Sequence, residues 1–255
     1  MKSPRRFTLD DRGSSEGIWT RDGQAILFDS ERNGRREIFR QGVLENIAET
    51  VVAEPGDVFG GEVSPDGAWL LYWESELTRV GGGAFPSSVR LMRRAIGGGS
   101  PEKLLDLPST QAPQDGYYGF NCSTNPKGRS PCVLGLIEGK DYVFYSLDPT
   151  QGKGSRLGKI EITQPPRYVG WSLSPDGSRL ALDDQDKYQG RIEVLTLSNG
   201  IWHDVFLETK EEILQSIAWA ADGKSFFVSS RAPDSFNLLH VTPDGKVQSL
   251  LRKRS

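Results

Sequence analysis

Four turn sequences that recur in register constrain the fold of this 255-residue chain more than any other feature. They centre on Asp22, Asp66, Asp176 and Asp222, each followed by glycine, and lie 44, 110 and 46 residues apart. The middle spacing is close to twice a period of about 50 residues, so we expect a fifth, altered copy in this gap, at residues 121–149. Self-similarity with a period of about 50 residues is typical of solenoids and propellers.

Apolar residues repeat around these turns. The positions three residues before each aspartate and four, five and six residues after it are apolar in all four copies. They are Trp19, Ile26, Leu27 and Phe28; Val63, Leu70, Leu71 and Tyr72; Leu173, Leu180, Ala181 and Leu182; and Trp219, Phe226, Phe227 and Val228. A continuous apolar strand is typical of a sheet buried on both faces. The turn is therefore expected to join the first two strands of such a sheet.

Two further strand-like segments follow in each copy, so the repeat contains four strands. The sequence therefore predicts an all-β fold, a β-propeller with five recognisable four-stranded blades. We expect a single propeller domain over residues 1–255. Its expected blades are residues 8–54, 56–107, 116–162, 166–208 and 213–251. The repeat count fits a closed five-bladed ring and also part of a larger propeller.

The turn residues have a structural role in this interpretation. Glycine accepts the positive φ that a tight hairpin requires, aspartate bonds back to the turn backbone, and proline presets the preceding φ. The predicted turn residues are Asp22, Gly23, Pro65, Asp66, Gly67, Pro175, Asp176, Gly177, Asp222 and Gly223.

The third copy lacks the Asp-Gly turn and carries the only two cysteines of the chain. Cys122 ends the predicted first strand and Cys132 begins the second, on opposite sides of an enlarged hairpin loop. Facing positions of antiparallel strands lie about 4.5 to 5.5 Å apart in Cα distance, which a disulfide can bridge. We predict a disulfide between them, with two reduced, buried cysteines as the alternative. The disulfide would favour an extracytoplasmic, oxidising compartment.

Charge and hydropathy exclude two classes of partner. The formal net charge is -3, and the basic pairs lie in separate copies without interleaved aromatic residues, so we expect no direct contact with nucleic acid. No apolar run approaches the roughly 18 residues needed to span a bilayer. The first residues lack the apolar segment of a secretory signal.

Several short motifs resemble catalytic or metal-binding sequences, but they lack the secondary structure or the neighbouring residues that such sites require. Residues 13–17, GSSEG, have the spacing of a nucleophile elbow, but a strand follows where the elbow needs a helix. The acidic segment at residues 183–190 lacks the Asp or Asn at the fifth position and the glycine at the sixth position that a calcium loop of the EF-hand type needs. His203 and His240 lie on predicted outer strands of different blades without a nucleophile beside them. We therefore expect no catalytic, metal-binding or cofactor-binding residues.

The repeats resemble the WD40-like Pro-Asp propeller family, seen in TolB-like periplasmic propellers and in the propeller halves of prolyl-oligopeptidase-type peptidases. VSPDGAWLLYW at residues 63–73, LSPDGSRLAL at residues 173–182 and LQSIAWAADGKSFFVSSR at residues 214–231 carry this resemblance. Together with their order, they are most similar to C-terminal propeller regions of acidobacterial proteins, where the propeller follows a serine/threonine kinase or a winged-helix domain. This sequence contains neither signature, so the resemblance implies a sensory or interaction role.

We therefore expect a non-catalytic propeller that binds a protein partner or a small ligand at one end. The long loops expected at Ser75–Ser88 and Leu107–Gly119 are the candidate contact segments. Two alternatives stay open: the gating propeller of a prolyl-oligopeptidase-like serine peptidase that lacks its hydrolase domain, and a lyase- or lactonase-type propeller with catalytic residues in its channel.

Overall fold

A computed structural model describes residue 7 and residues 14–80, 83–107, 118–125, 132–162, 169–184, 190–208, 213–232 and 235–254. These residues form 20 β-strands, arranged in five four-stranded antiparallel sheets. Each sheet uses four consecutive strands in sequence order, and we call the sheets blades 1 to 5. The predicted all-β fold with five four-stranded blades is confirmed.

The strands of the blades have the following bounds. Blade 1 contains β1 (Ser14–Trp19), β2 (Ala25–Ser30), β3 (Glu37–Gly42) and β4 (Glu49–Val52). Blade 2 contains β5 (Asp57–Val63), β6 (Trp69–Val80), β7 (Gly83–Ala95) and β8 (Glu102–Leu107). Blade 3 contains β9 (Tyr118–Cys122), β10 (Cys132–Glu138), β11 (Asp141–Asp148) and β12 (Gly152–Glu161). Blade 4 contains β13 (Val169–Leu173), β14 (Arg179–Asp184), β15 (Arg191–Thr196) and β16 (Ile201–Phe206). Blade 5 contains β17 (Ile213–Trp219), β18 (Phe226–Ala232), β19 (Ser235–Val241) and β20 (Val247–Arg254).

The chain divides into two compact units. The first comprises residues 1–113 and 149–152 and holds blades 1 and 2; the second comprises residues 114–148 and 153–255 and holds nearly all of blades 3, 4 and 5. The single domain expected over residues 1–255 stays a prediction. The expected start of blade 1 at residue 8 lies outside the described residues.

Within each unit, neighbouring blades pack face to face. Successive side chains of a strand point to opposite faces of the sheet. We call the face that carries the residue five after the turn aspartate the front face of a blade. The back face carries the residues four and six after that aspartate. Leu27 of the blade 1 front face is buried with Leu70 and Tyr72 of the blade 2 back face. Blades 3 and 4, and blades 4 and 5, pack in the same way. The residues are Val133 against Leu180 and Leu182, and Ala181 against Phe226 and Val228.

The aspartate of each turn is bonded to its own turn. Asp22 Oδ1 accepts hydrogen bonds from Thr20 Oγ1 at 2.6 Å and from the Gln24 backbone N–H at 3.0 Å. Asp66 accepts the corresponding bonds from Ser64 and Ala68. The glycine that follows the aspartate has a positive φ in all four turns, between 63° and 77°. The recurring Asp-Gly pair is therefore a device for closing the hairpin between the first two strands.

Replacing Gly23 tests this role without a steric complication, because a Cβ at this position would meet no atom within 4 Å while φ is +65°. We expect Gly23→Ala to lower the free energy of unfolding by about 1 to 2 kcal/mol, the cost of a left-handed alanine. Urea unfolding measures the change. Gly97→Ala is the matched control, since Gly97 lies in equally open space without a positive φ; equal losses in the two variants would contradict the assignment.

Acid should loosen these turns. Hydrogen bonds from Thr20 and Gln24 lower the pKa of Asp22, and those from Ser64 and Ala68 lower the pKa of Asp66. In a further turn, the connection from β19 to β20, the bond from Lys246 holds the pKa of Asp244 at about 2. Carboxylates with a depressed folded-state pKa stabilise the fold above the unfolded value of 3.8 and lose this contribution as the pH falls towards the folded value.

We therefore expect the free energy of unfolding to fall progressively from about pH 5 to pH 2. Asp66→Asn keeps an acceptor oxygen but cannot titrate, so this variant should lose less stability over the same interval. Urea unfolding at a series of pH values provides the measurement. An unchanged pH slope in the variant would show that the turn carboxylate does not contribute.

Candidate functional site

The site that the first unit forms most clearly is a cavity between blades 1 and 2. It has a volume of about 480 Å³ and lies at the end of these blades where the Asp-Gly turns are found. The first turn contributes residues 20–22 and the second turn contributes Gly67. The end of β7 contributes Ala95, and the connection from β7 to β8 contributes Ile96 and Gly98. Volumes of roughly 300 to 1,000 Å³ are usual for small-molecule sites.

The floor of the cavity is apolar. Leu27 of β2 and Leu70 of β6 are buried there, and Val51 and Val63 are half-buried beside them. Ile96 stands at the rim with 52% of its surface exposed. The same front-to-back packing that holds the two blades together therefore leaves an aliphatic surface at their turn end.

Charged groups surround this floor, with three guanidinium groups against two carboxylates. Arg40 pairs with Glu49 at 3.1 Å, and Arg94 Nη1 donates to the backbone oxygen of Val51 at 3.2 Å. Arg21 makes no hydrogen bond or ion pair with any residue in the described ranges, and its charge contributes to lowering the pKa of Asp66. The rim therefore carries one guanidinium group without a hydrogen bond or ion pair in the described residues.

The cavity was not predicted from the sequence. Its charged rim is formed by residues outside the apolar columns, such as Arg21 beside the first turn and Arg94 near the end of β7, and these residues vary from copy to copy. A sequence signal did exist: a basic residue directly precedes the first Asp-Gly pair, where the second and fourth copies have proline.

The structure brings His240 close to a hydroxyl group, which the sequence analysis did not expect. His240 Nε2 lies 2.9 Å from Ser225 Oγ, and the Ser225 hydroxyl also lies 3.0 Å from Asp222 Oδ2. In a catalytic triad the carboxylate orients the imidazole, whereas here it bonds the serine. Ser225 is 4% exposed and closes the blade 5 turn together with Asp222. The contact between His240 and Ser225 is therefore part of the hydrogen bonding of this turn. His203 is exposed on β16.

The remaining motifs have structural positions. Ser15 lies in β1 opposite Asp29, so this segment continues as a strand. Asp183 lies in β14 and is buried, while residues 185–189 of the acidic segment lie outside the described residues. No group of three or more His, Cys, Asp or Glu side chains forms a metal site within the described ranges. The same residues contain no helix with the length and apolar content needed to cross a membrane.

The expectation of a loop at Ser75–Ser88 is wrong. Strands β6 and β7 continue through this segment as one long hairpin, with pairs from Trp69 opposite Ala95 to Val80 opposite Gly83. The sequence Leu-Thr-Arg-Val before the glycine run favours a strand, while residues 81 and 82 lie outside the described residues. In the other expected loop, Leu107–Gly119, residues 108–117 lie outside the described residues.

Cys122 and Cys132 form a disulfide, as the hairpin register predicts. They are direct partners across β9 and β10, with Cα atoms 4.0 Å apart, and both are buried. The chain after Cys122 then contacts the turn of blade 4, where Ser123 Oγ and the Asn125 N–H both donate to the Pro175 oxygen. The disulfide therefore fixes the strand ends next to a contact between blades 3 and 4.

The fold has relatives among solved structures. The chain is similar to a putative TolB from Agrobacterium tumefaciens, with a TM-score of 0.67 and 16% identity over 96% of this chain and 83% of that one. TolB from Acinetobacter baumannii gives 0.63 and 17% over 92% of this chain and 53% of that one. The fold is a five-bladed, TolB-like β-propeller. At these identities the likeness extends to the fold alone.

An enzyme shares this fold. Oligogalacturonate lyase from Vibrio parahaemolyticus matches with a TM-score of 0.59 and 14% identity, over 97% of this chain and 69% of that one. The chain spans about half the length of the Acinetobacter TolB that it matches. No family model matches the chain, and no curated protein matches it.

Removing the disulfide tests its contribution to the free energy of unfolding. We expect the double variant Cys122→Ala, Cys132→Ala to lose about 2 to 3 kcal/mol of unfolding free energy, because the unfolded chain is no longer closed into a short loop. Urea unfolding without reductant measures this loss. As a control on the starting state, unfolded wild-type protein should show no thiol that reacts with a labelling reagent until reductant is added; two reactive thiols before reduction would contradict the disulfide.

Proposed function

We propose that this propeller is a non-catalytic binding module whose ligand has an apolar body and a carboxylate, and that it binds in the cavity between blades 1 and 2. The observation that carries the proposal is Arg21, a guanidinium group without a side-chain partner in the described part of the chain, placed beside an aliphatic floor. An apolar pocket with a few convergent polar groups is the usual form of a ligand site.

The C-terminus of a peptide matches this arrangement. An aliphatic side chain fits against Leu27, Val51 and Val63, and the neighbouring carboxylate can meet Arg21, whose planar guanidinium forms paired hydrogen bonds with a carboxylate. Arg94 lies at the same rim and adds positive charge. Glu49 and Asp22 are already paired or bonded within the fold, which supports an anionic ligand.

For the whole protein, this binding activity fits a sensory or interaction role. We place the chain among sensory or interaction propellers of larger bacterial signalling proteins, such as the kinase-linked or winged-helix-linked proteins that its repeats resemble. The disulfide supports an extracytoplasmic setting, because such bonds persist in oxidising compartments. A protein partner or a small ligand then acts through one end of the propeller.

Two catalytic alternatives have less support. A peptidase-gating propeller or a lyase-type propeller shares the fold, and the oligogalacturonate lyase likeness is of this kind. The one histidine–serine contact in the described residues, between His240 and Ser225, is bonded in the order of a turn cap. We therefore favour binding without catalysis.

Fluorescence anisotropy with a labelled peptide tests the proposal directly. The probe ends in leucine with a free carboxylate, and we expect saturable binding to the wild-type chain. Arg21→Gln should weaken binding about tenfold, since a hydrogen bond to a charged group contributes roughly 1.5 to 3 kcal/mol and 1.4 kcal/mol corresponds to a factor of ten. Ile96→Asp should weaken binding as well, because it brings a negative charge to the apolar rim.

Matched controls separate this site from general charge attraction. Arg156→Gln removes the same charge from the exposed surface of β12 and should leave binding unchanged. The same peptide with an amidated C-terminus should bind as weakly to the wild type as the free peptide binds to Arg21→Gln. Competition by N-acetylleucine separates a site for small acids from one that needs a peptide. Equal affinities for free and amidated peptides would refute the proposed role of Arg21.

A further inference from the structure

A second, shallower depression adjoins the cavity between blades 1 and 2. It has a volume of about 480 Å³ and is formed by the turn from β3 to β4 and the first residue of β4. The lining residues are Glu45, Asn46, Ile47 and Glu49. Glu49 also lines the cavity that contains Arg21. The two hollows therefore share one wall, and both are formed within the first unit.

The strand register gives the direction in which the two hollows follow each other. Leu27 of β2 pairs with Arg40 of β3, and Arg40 pairs with Glu49 of β4. Direct partners point to the same face, and neighbouring strands lie about 4.8 Å apart, so the row from Leu27 to Glu49 is about 10 Å long. The combined groove therefore runs across the front face of blade 1, from the apolar floor of the cavity to the outer strand β4.

The second depression has the chemistry of a site for a basic side chain. Ile47 is 82% exposed and offers an aliphatic surface between two carboxylates. Glu45 Oε2 accepts the Gly42 N–H at 2.9 Å, and Glu49 Oε1 accepts a hydrogen bond from Arg40 at 3.1 Å. The other oxygen of each carboxylate accepts no hydrogen bond from a described residue. One guanidinium against two carboxylates leaves a net negative charge, whereas the rim of the cavity carries a net positive charge.

From this groove we infer that the ligand is the C-terminal segment of a protein partner, with an apolar last residue and a lysine or arginine two positions before it. The inference rests on the proposed function, since it places the last residue in the cavity with its carboxylate at Arg21. An extended chain rises about 3.3 Å per residue and sends alternate side chains to the same side, so these two side chains start about 6.6 Å apart.

The flexible stem of a lysine then covers the remaining distance to Glu49. Basic side chains lay their methylene groups on apolar surface and keep the charged group in water. The stem therefore lies on Ile47, and the ammonium group meets Glu45 and Glu49. A single small acid fills the cavity and leaves this second depression unused, so the length of the groove favours a peptide.

Fluorescence anisotropy with the full chain and three labelled peptides of equal length tests the inference. All three end in leucine with a free carboxylate. The first has lysine two positions before the leucine, the second has norleucine there, and the third has the lysine directly before the leucine. We expect the first peptide to bind about three- to fivefold more tightly than the other two, the range of an exposed ion pair. Norleucine keeps the stem without the charge, and the third peptide sends the charge to the opposite side.

Variants of the turn from β3 to β4 identify the residues responsible. Glu45→Gln keeps an oxygen that can accept the turn N–H but removes the charge, so the ratio of the affinities for the first two peptides should fall towards one; Glu49→Gln should act in the same direction. Glu31→Gln, at an exposed glutamate in the turn from β2 to β3, should keep the wild-type ratio. Ile47→Ser should weaken binding of the lysine peptide about threefold, whereas Leu44→Ser should not, because Leu44 is 93% exposed outside the lining of the depression.

The outcomes separate this inference from the proposed function. Peptides that bind through Arg21 without a preference for lysine, or a preference that survives in both glutamine variants, would overturn the inference and leave the cavity assignment intact. N-acetylleucine that binds as tightly as the lysine peptide would also overturn it, because the cavity alone would then supply the affinity. Binding that is absent, or that does not depend on Arg21, would overturn the proposed function and this inference together.

Discussion

The burial of sheet faces against each other is the interaction on which the rest of this structure depends. A four-stranded sheet with apolar residues on both faces is not stable alone, because each face needs a neighbour to remove it from water. The chain meets this need by repetition: the front face of one blade, with Leu27 or Ala181, packs on the back face of the next, with Leu70 or Phe226. The Asp-Gly turns serve this packing, since they fix the register that sends alternate side chains to opposite faces.

The same packing creates the polar features of the turn end. Where two blades meet, the preceding blade supplies a group to the next turn: Arg179 donates to the Gly223 oxygen, and Asn125 donates to the Pro175 oxygen. Between blades 1 and 2, the Arg21 side chain lies beside Gly67 of the next turn but makes no such hydrogen bond in the described residues. The proposed function assigns this side chain to a ligand. Repeat proteins can gain a site in this way without any change to the core.

The sequence was sufficient to predict the blades, because their apolar columns and turns repeat and each repeat supports the same assignment. The sequence was insufficient to predict the local structure wherever one copy of the repeat departs from the others. Ser75–Ser88 was expected to be a loop because β6 and β7 are much longer than their counterparts, so the repeat offered no guide there. The contact between His240 and Ser225 depends on the pairing of β18 with β19, and it joins residues 15 apart that carry no shared motif. The cavity at Arg21 depends on side chains from two blades and on their spacing in three dimensions.

The disulfide has a consequence for how the third blade can vary. In the other blades an Asp-Gly turn sets the register of the first two strands, so a change in turn length would shift every side chain of the second strand. In blade 3 the bond between Cys122 and Cys132 sets that register by itself, with the two cysteines as direct partners. The segment between them can therefore change in length and sequence while the strands stay aligned. We therefore expect this hairpin to accept inserted sequence with less effect on strand register than the Asp-Gly turns of the other blades.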